Sequence, residues 1–162
     1  MTDIALRFSP ASQAADIAVQ GGALASDDGL MTAIVISLFT HARARADDVL
    51  PQDGADLRGW WGDIGNADAN DGIGSRLWLL VREKLLPTTA LKARDICREA
   101  LAWLVDDGVV RSVDVETAIL PLSPANPTGA LAIGVSISRP DGPSRERYDF
   151  VWDATGRSFS TL

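Results

Sequence analysis

Arg58–Lys84 reads RGWWGDIGNADANDGIGSRLWLLVREK and holds three of the chain's five tryptophans. Its second half decides the helix count. Ile73, Leu77 and Leu80 recur at spacings of four and three, and Trp78, Val81 and Leu85 widen the apolar side. That pattern predicts an amphipathic helix over Ile73–Leu85, capped by Asp71, wet on Arg82, Glu83 and Lys84, and ended by Pro87. The first half reads as a loop in which Trp60 and Trp61 stand together between glycines. Two adjacent indoles on a loop either anchor it into a core or offer aromatic surface to a partner. We expect one indole to pin the loop and the loop to shape a docking surface that includes Asp63.

Outward toward the N-terminus, Ala46–Asn70 is rich in turn formers: Asp47, Asp48, Pro51, Asp53, Gly54 and Asp56. A loop of this length in a compact domain is usually functional or held by a partner. Before it, GLMTAIVISLFTHARARA predicts a helix buried on more than one side, through Leu30, Ile34, Val35, Ile36, Leu38 and Phe39. Ser26, Asp27 and Asp28 supply its N-terminal caps. His41, Arg43 and Arg45 put cations at its C-terminal end, where the macrodipole favours them.

Outward toward the C-terminus, ALKARDICREALAWLVDDG predicts a third helix, capped by Thr88 or Thr89 and closed by Gly108. Ala93, Ile96, Cys97, Ala100, Leu101, Trp103 and Leu104 form its apolar stripe. The period then changes to two. Val109–Ile119, Leu131–Ser138 and Tyr148–Trp152 read as an antiparallel meander broken by prolines 121, 124 and 127 and by the turn RPDGP. The tail after Asp153 reads as polar and frayed. At the other end Ile4, Leu6 and Phe8 alternate, Asp16–Val19 is a second extended run, and Gly21-Gly22 makes a turn. The expected fold is therefore α+β: about three helices packed on a small antiparallel sheet, formed by the C-terminal meander plus short N-terminal strands. Residues 1–25 are an N-terminal arm or edge strands, and residues 26–162 a single domain.

Composition narrows the function classes. The 162 residues are 46% hydrophobic and 23% charged, ordinary for a globular domain with its own core. One cysteine leaves no intrachain disulfide and no Cys-rich metal framework. A net charge of −7 without a Lys/Arg block gives no footprint for nucleic acid. No signal peptide is read at the N-terminus, and no apolar run approaches the roughly 20 residues of a membrane span.

No catalytic motif emerges either. There is no phosphate-binding loop, no dinucleotide glycine pattern and no nucleophile elbow. The glycines of GDIGNADANDGIG follow a loop, not a strand. DANDG lacks the ligand spacing and closing glutamate of a calcium loop. His41, the only histidine, reads as a helix-end residue, and Cys97 as a small buried hydrophobe. The acids Asp47-Asp48, Asp106-Asp107 and Glu83 read as solvated. Glu83 with Asp63 is the pair that a glycosidase would need, flanking a groove. The expectation is no catalytic, cofactor-binding or metal site.

The strings DDGLMTAIVISLFTHARA, RGWWGD, IGSRLWLLVREK and ICREALAWLVDDG, in that order, resemble the Mu-like phage and prophage tail proteins of the gene-product-46 family. The resemblance runs from about Asp16 to Trp152. It implies a non-enzymatic structural subunit of a contractile-tail baseplate, made in the host cytoplasm and then carried in the virion or tail-like particle. Its partners would be other baseplate wedge proteins, with the tail hub or the sheath as further contacts, and several copies would stand in one baseplate. No membrane or nucleic-acid partner is implied.

More distantly the chain is similar to the wedge family typified by the gene-product-25 protein of T-even phages and the TssE subunit of type VI secretion. Leu38–Arg43 takes the place of that family's first signature and Trp103–Gly108 the place of its second. The family's Glu-Pro-Arg triplet is absent, and Asp106-Asp107-Gly108 stands there. The resemblance thus carries over a contact position without its chemistry. The candidate interface is Trp60, Trp61 and Asp63 with Asp106, Asp107 and Gly108. A lysozyme-like cell-wall hydrolase is the alternative, a label some relatives inherit by name.

Overall fold

Leu131, Ile133, Val135 and Ile137 are each at most 1% exposed, and the fold is assembled around them. The computed structural model describes residues 3–9, 14–27, 30–52, 56–65, 72–122, 129–140, 145–153 and 159–161. Six short strands come first: β1 (Asp3–Ile4), β2 (Leu6–Ser9), β3 (Ala14–Ile17), β4 (Val19–Gln20), β5 (Ala23–Leu24) and β6 (Ser26–Asp27). Helices α1 (Leu30–Phe39) and α2 (Pro87–Ala100) and the single turn α3 (Trp103–Asp106) follow. Strands β7 (Ser112–Leu120), β8 (Ala130–Ser138), β9 (Glu146–Asp153) and β10 (Phe159–Thr161) close the chain.

The C-terminal strands form one antiparallel sheet in the order β10-β9-β8-β7. Its register stacks Val115, Val135 and Tyr148 across the strands, and Thr117, Ile133 and Phe150 beside them. That face packs on Leu30, Ile34 and Leu38 of α1 and on Ala90, Ala93 and Cys97 of α2, with Phe39 edge-on to Phe150 at 5.5 Å. The opposite face carries Ala132, Gly134 and Ser136 on its central strand. Arg147 lies across Gly134 to reach Glu116 and Asp149, each at 2.9 Å, where a Cβ on Gly134 would come within 2.5 Å of the guanidinium.

Three expectations are corrected. Ile73–Leu85 is not a helix but an extended segment with one 3-10 turn at Leu77–Leu80. All four residues of that turn are buried, whereas an α-helix would turn part of such a run to water. Gly74 at φ +102 and Arg82 at φ +81 also lie outside helical space. The first helix ends at Phe39, so His41, Arg43 and Arg45 lie beyond it in extended chain and not at its end. Pro87 opens α2 as its first residue instead of ending a helix. The first predicted helix persists over Leu30–Phe39, and the last persists but breaks at Leu101 into α2 and α3.

The sheet is corrected at both ends. Phe159–Thr161, expected to fray, pairs with β9 as a fourth strand. The N-terminal strands, expected to extend an edge, pair with one another as the ladders β1-β6, β2-β3 and β4-β5. These meet at a ring of three backbone bonds: Ala5 N–H to Ala25 O, Ala18 N–H to Ala5 O and Ala25 N–H to Ala18 O, at 2.8–2.9 Å. With their own donors satisfied there, they have no need of the sheet. Gly21 and Gly22, at φ +62 and +82, close the smaller hairpin in the doubly positive geometry that a two-residue turn requires. The caps assigned to Asp28 and Asp71, the acids of DANDG before Gly72 and the turn at 141–143 lie outside the described residues.

Candidate protein-docking site

A serine organises the approach to the site. The Ser75 side chain donates to the Leu38 carbonyl at the end of α1 and accepts from the Leu77 N–H. Its backbone bridges Thr40 O and Ala42 N–H at 2.9 Å each, so one buried residue satisfies the helix end and fixes the extended chain after it. Gly74 permits this approach, since a Cβ there would come within 2.5 Å of the Thr40 carbonyl.

Beside this crossing lies a groove of about 560 Å³ between the 42–45 segment, the 72–76 segment and the ends of α2 and α3. Arg43, Asp63, Arg76, Glu99, Trp103 and Asp106 are among the residues that line it. Arg76 binds Asp48 at 2.7 Å and Glu99 at 2.8 Å, and Arg45 binds Glu99 at 2.6 Å. Burial alone would raise the Asp48 carboxyl, but the Arg45 backbone N–H and the Arg76 guanidinium outweigh it and hold it below the usual range. Trp103 donates its indole N–H to Ser37 Oγ at 3.0 Å, which ties the groove floor to α1.

Trp60 precedes and Trp61 opens a short turn, Trp61–Asp63, whose last residue lines the groove. Trp61 is 77% exposed, Trp60 38% and Ile64 83%. The two rings lie 5.4 Å apart, and Trp60 folds over Gly62, leaving no room for a side chain there. Asp63 accepts from the Ile73 N–H at 3.3 Å, tying the turn to the following strand-like segment. The residue that pins the loop is Trp78, outside the pair. It is buried with Ala44 and Leu79, with Leu50 and Leu57 packed on them, and its indole N–H reaches Ala42 O at 2.8 Å.

The candidate residues thus fall into one neighbourhood in part. Asp63 and Asp106 line the same groove, Trp60 and Trp61 precede Asp63 in the chain without lining the groove, and Asp107 and Gly108 form the exposed corner after α3. Gly108 takes φ +69, as a helix-ending glycine does. Sequence reading missed Ser75, Arg76, Glu99 and Trp103 as parts of one site. The glycine inside the expected helix, Gly74, was the available signal for a break there. Glu83 is ion-paired with Lys92 at 2.9 Å and is not among the groove residues that include Asp63. Cys97 is fully buried and burial pushes its thiol up to about 12. Among the described residues no helix is long and apolar enough to cross a membrane.

Fold and site together describe an α+β domain with an exposed aromatic turn and a charged groove that share Asp63. The chain belongs to the family described as Phage protein GP46, which matches residues 30–144. One relative is the baseplate protein gp46 of Escherichia phage Mu, 41% identical over 142 residues, which are 88% of this chain and 90% of that protein. Another is the Mu-like prophage FluMu protein gp46 of Haemophilus influenzae, 36% identical over 149 residues, 91% of this chain and 94% of that one. No solved structure matches the chain.

Proposed function

We propose that this chain is a structural subunit of a phage or prophage tail baseplate, assembled through protein–protein contacts. The observation that carries this is the 41% identity to a baseplate protein across nearly the whole length of both chains. At that identity the fold and surface role are ordinarily shared, and the family match covers the groove and the aromatic turn.

In finer detail, the chain is a non-enzymatic wedge component of a contractile tail, present in several copies around the axis and formed in the host cytoplasm before it enters the particle. Its neighbours are other wedge proteins, with the hub or first sheath ring as further contacts. Trp60, Trp61 and Asp63 of the aromatic turn, with Asp106, Asp107 and Gly108 at the end of α3, are the docking residues. The arm formed by residues 1–25 supplies a second contact through the exposed Ile4, Ile17, Val19 and Leu24.

Deleting the gene should leave particles without sheathed tails, and supplying it in trans should restore them. Normal sheathed tails in the deletion strain would overturn the proposal. Purified protein is expected to leave peptidoglycan intact. Dose-dependent clearing that Glu83→Gln abolishes would establish the hydrolase in its place.

A further inference from the structure

Arg58 is one of two non-glycine residues with positive φ among the described residues, at +51. An L side chain keeps that conformation only where its surroundings impose it, and here the guanidinium lies against two aromatic rings at once. Its carbon is 4.6 Å from the centre of the Trp78 ring, and Nη1 is 3.2 Å from Nδ1 and 3.3 Å from Nε2 of His41. The loop crosses the 41–44 segment at this same point. Leu57 O accepts from Ala44 N–H at 2.9 Å, and Gly59 passes so close that an added Cβ would come within 3.0 Å of the Arg43 Cβ. Trp60 and Trp61 follow directly, so the crossing sets where the aromatic turn begins.

Trp78 is buried and its indole N–H is held by Ala42 O at 2.8 Å, which makes it a fixed platform. The imidazole is the variable partner. Neutral, it offers the guanidinium a nitrogen lone pair and an uncharged ring. Protonated, it carries N–H on both nitrogens, has no acceptor left, and sets a second positive charge against the first. Asp56, on the same loop, opposes the Arg58 charge but is the weaker of the two influences. The segment paired with His41 through Ser75 turns its own cation, Arg76, to Asp48 and Glu99, and Arg43 lines the groove.

We infer that His41, Arg58 and Trp78 form an acid-released latch. While the imidazole is neutral, the guanidinium holds the loop down on the 41–44 segment. Protonation of His41 expels it and loosens the loop that carries Trp60 and Trp61. The direction follows from linkage: the closed loop disfavours the proton, so the proton disfavours the closed loop. By the same reciprocity, acid multiplies opening by up to about tenfold for each pH unit by which closure depresses the His41 midpoint. The latch is intramolecular and independent of the baseplate reading.

The test follows amide hydrogen exchange by NMR in the purified full chain, with His41 titrated in the same samples. Protection of the Ala44 N–H, taken against an unstructured peptide at each pH, reports on the crossing. The Ala42 N–H, bonded to Ser75 O at 2.9 Å on the same segment, is the internal control. Ala44 protection should fall by about threefold or more through the His41 midpoint, while Ala42 protection holds. His41→Phe keeps an uncharged ring and Arg58→Met keeps a flexible side chain over Trp78, and each should abolish the fall. Unchanged Ala44 protection through the His41 midpoint overturns the inference. So does a fall that tracks a carboxylate, persists in either variant, or is matched at Ala42.

Discussion

The Arg58 guanidinium lies 4.6 Å from the centre of the buried Trp78 ring, and its Nη1 is 3.2 Å from His41 Nδ1. Burial first, and then the Arg58 charge, lower the His41 pKa from the ordinary 6.5, with Asp56 opposing. The folded state therefore favours neutral imidazole. The stability this contributes is full above 6.5 and is lost as pH falls through the lowered value. An NMR titration of His41 should show a midpoint below 6.5, and Arg58→Ala should move it part of the way back. A midpoint at or above 6.5 in the unsubstituted protein would refute the placement of that guanidinium.

Asp48 carries a second pH dependence of the same direction at lower pH. Its pKa is lowered in the fold from 3.8, so its contribution is present above that value and is lost as pH falls through the folded one. Asp48→Asn should lower stability at pH 7 by roughly 1 kcal/mol and flatten the acid limb of the stability curve. Urea unfolding midpoints at pH 7 and pH 3 measure both effects. Parallel acid limbs for the two proteins would show that the Arg76–Asp48 pair contributes nothing.

Gly74→Ala should destabilise by about 1–3 kcal/mol, because φ +102 is unfavourable for a side chain and the new Cβ meets the Thr40 carbonyl. Gly108→Ala is the control: φ +69 there is also positive, but no heavy atom lies within 4 Å of the added carbon. Denaturant midpoints should therefore fall further for position 74 than for position 108. Equal losses would mean that the close crossing at Ser75 plays no part.

The tryptophans should separate cleanly. Trp78→Ala removes the buried anchor of the second small core and should cost about 3–5 kcal/mol. Trp61→Ala, on a residue 77% exposed, should change stability by about 0.5 kcal/mol or less and still impair tail assembly. Thermal melts together with an assembly assay distinguish the two. A large loss of stability at Trp61 would make it a structural residue and not a docking one.

The meander was legible because period-two alternation over Leu131–Ser138 has no competing helical reading, and the register follows that alternation throughout. The segment Ile73–Leu85 was not legible for the opposite reason. Four consecutive buried residues, Leu77–Leu80, suit helix, strand and turn alike, and the decisive partner, the Leu38 carbonyl that Ser75 meets, is 37 residues away. At the candidate site, residue types were readable: exposed aromatics and corner acids. Their grouping was not, since Asp63 and Asp106 share a groove only because α1 ends early and α2 breaks at Leu101. Phe159–Thr161 has too short an alternation to announce a strand.

The ring of bonds at Ala5, Ala18 and Ala25 has a consequence for how this chain tolerates change. Each of the two hairpins leaves and re-enters that ring on adjacent strands, and the third ladder alone leads into α1. The tip at Gly21-Gly22 can therefore grow, shrink or accept a foreign sequence without shifting the register of anything downstream. Residues 21–22 are thus a natural place for an inserted label that reports on assembly from outside the core.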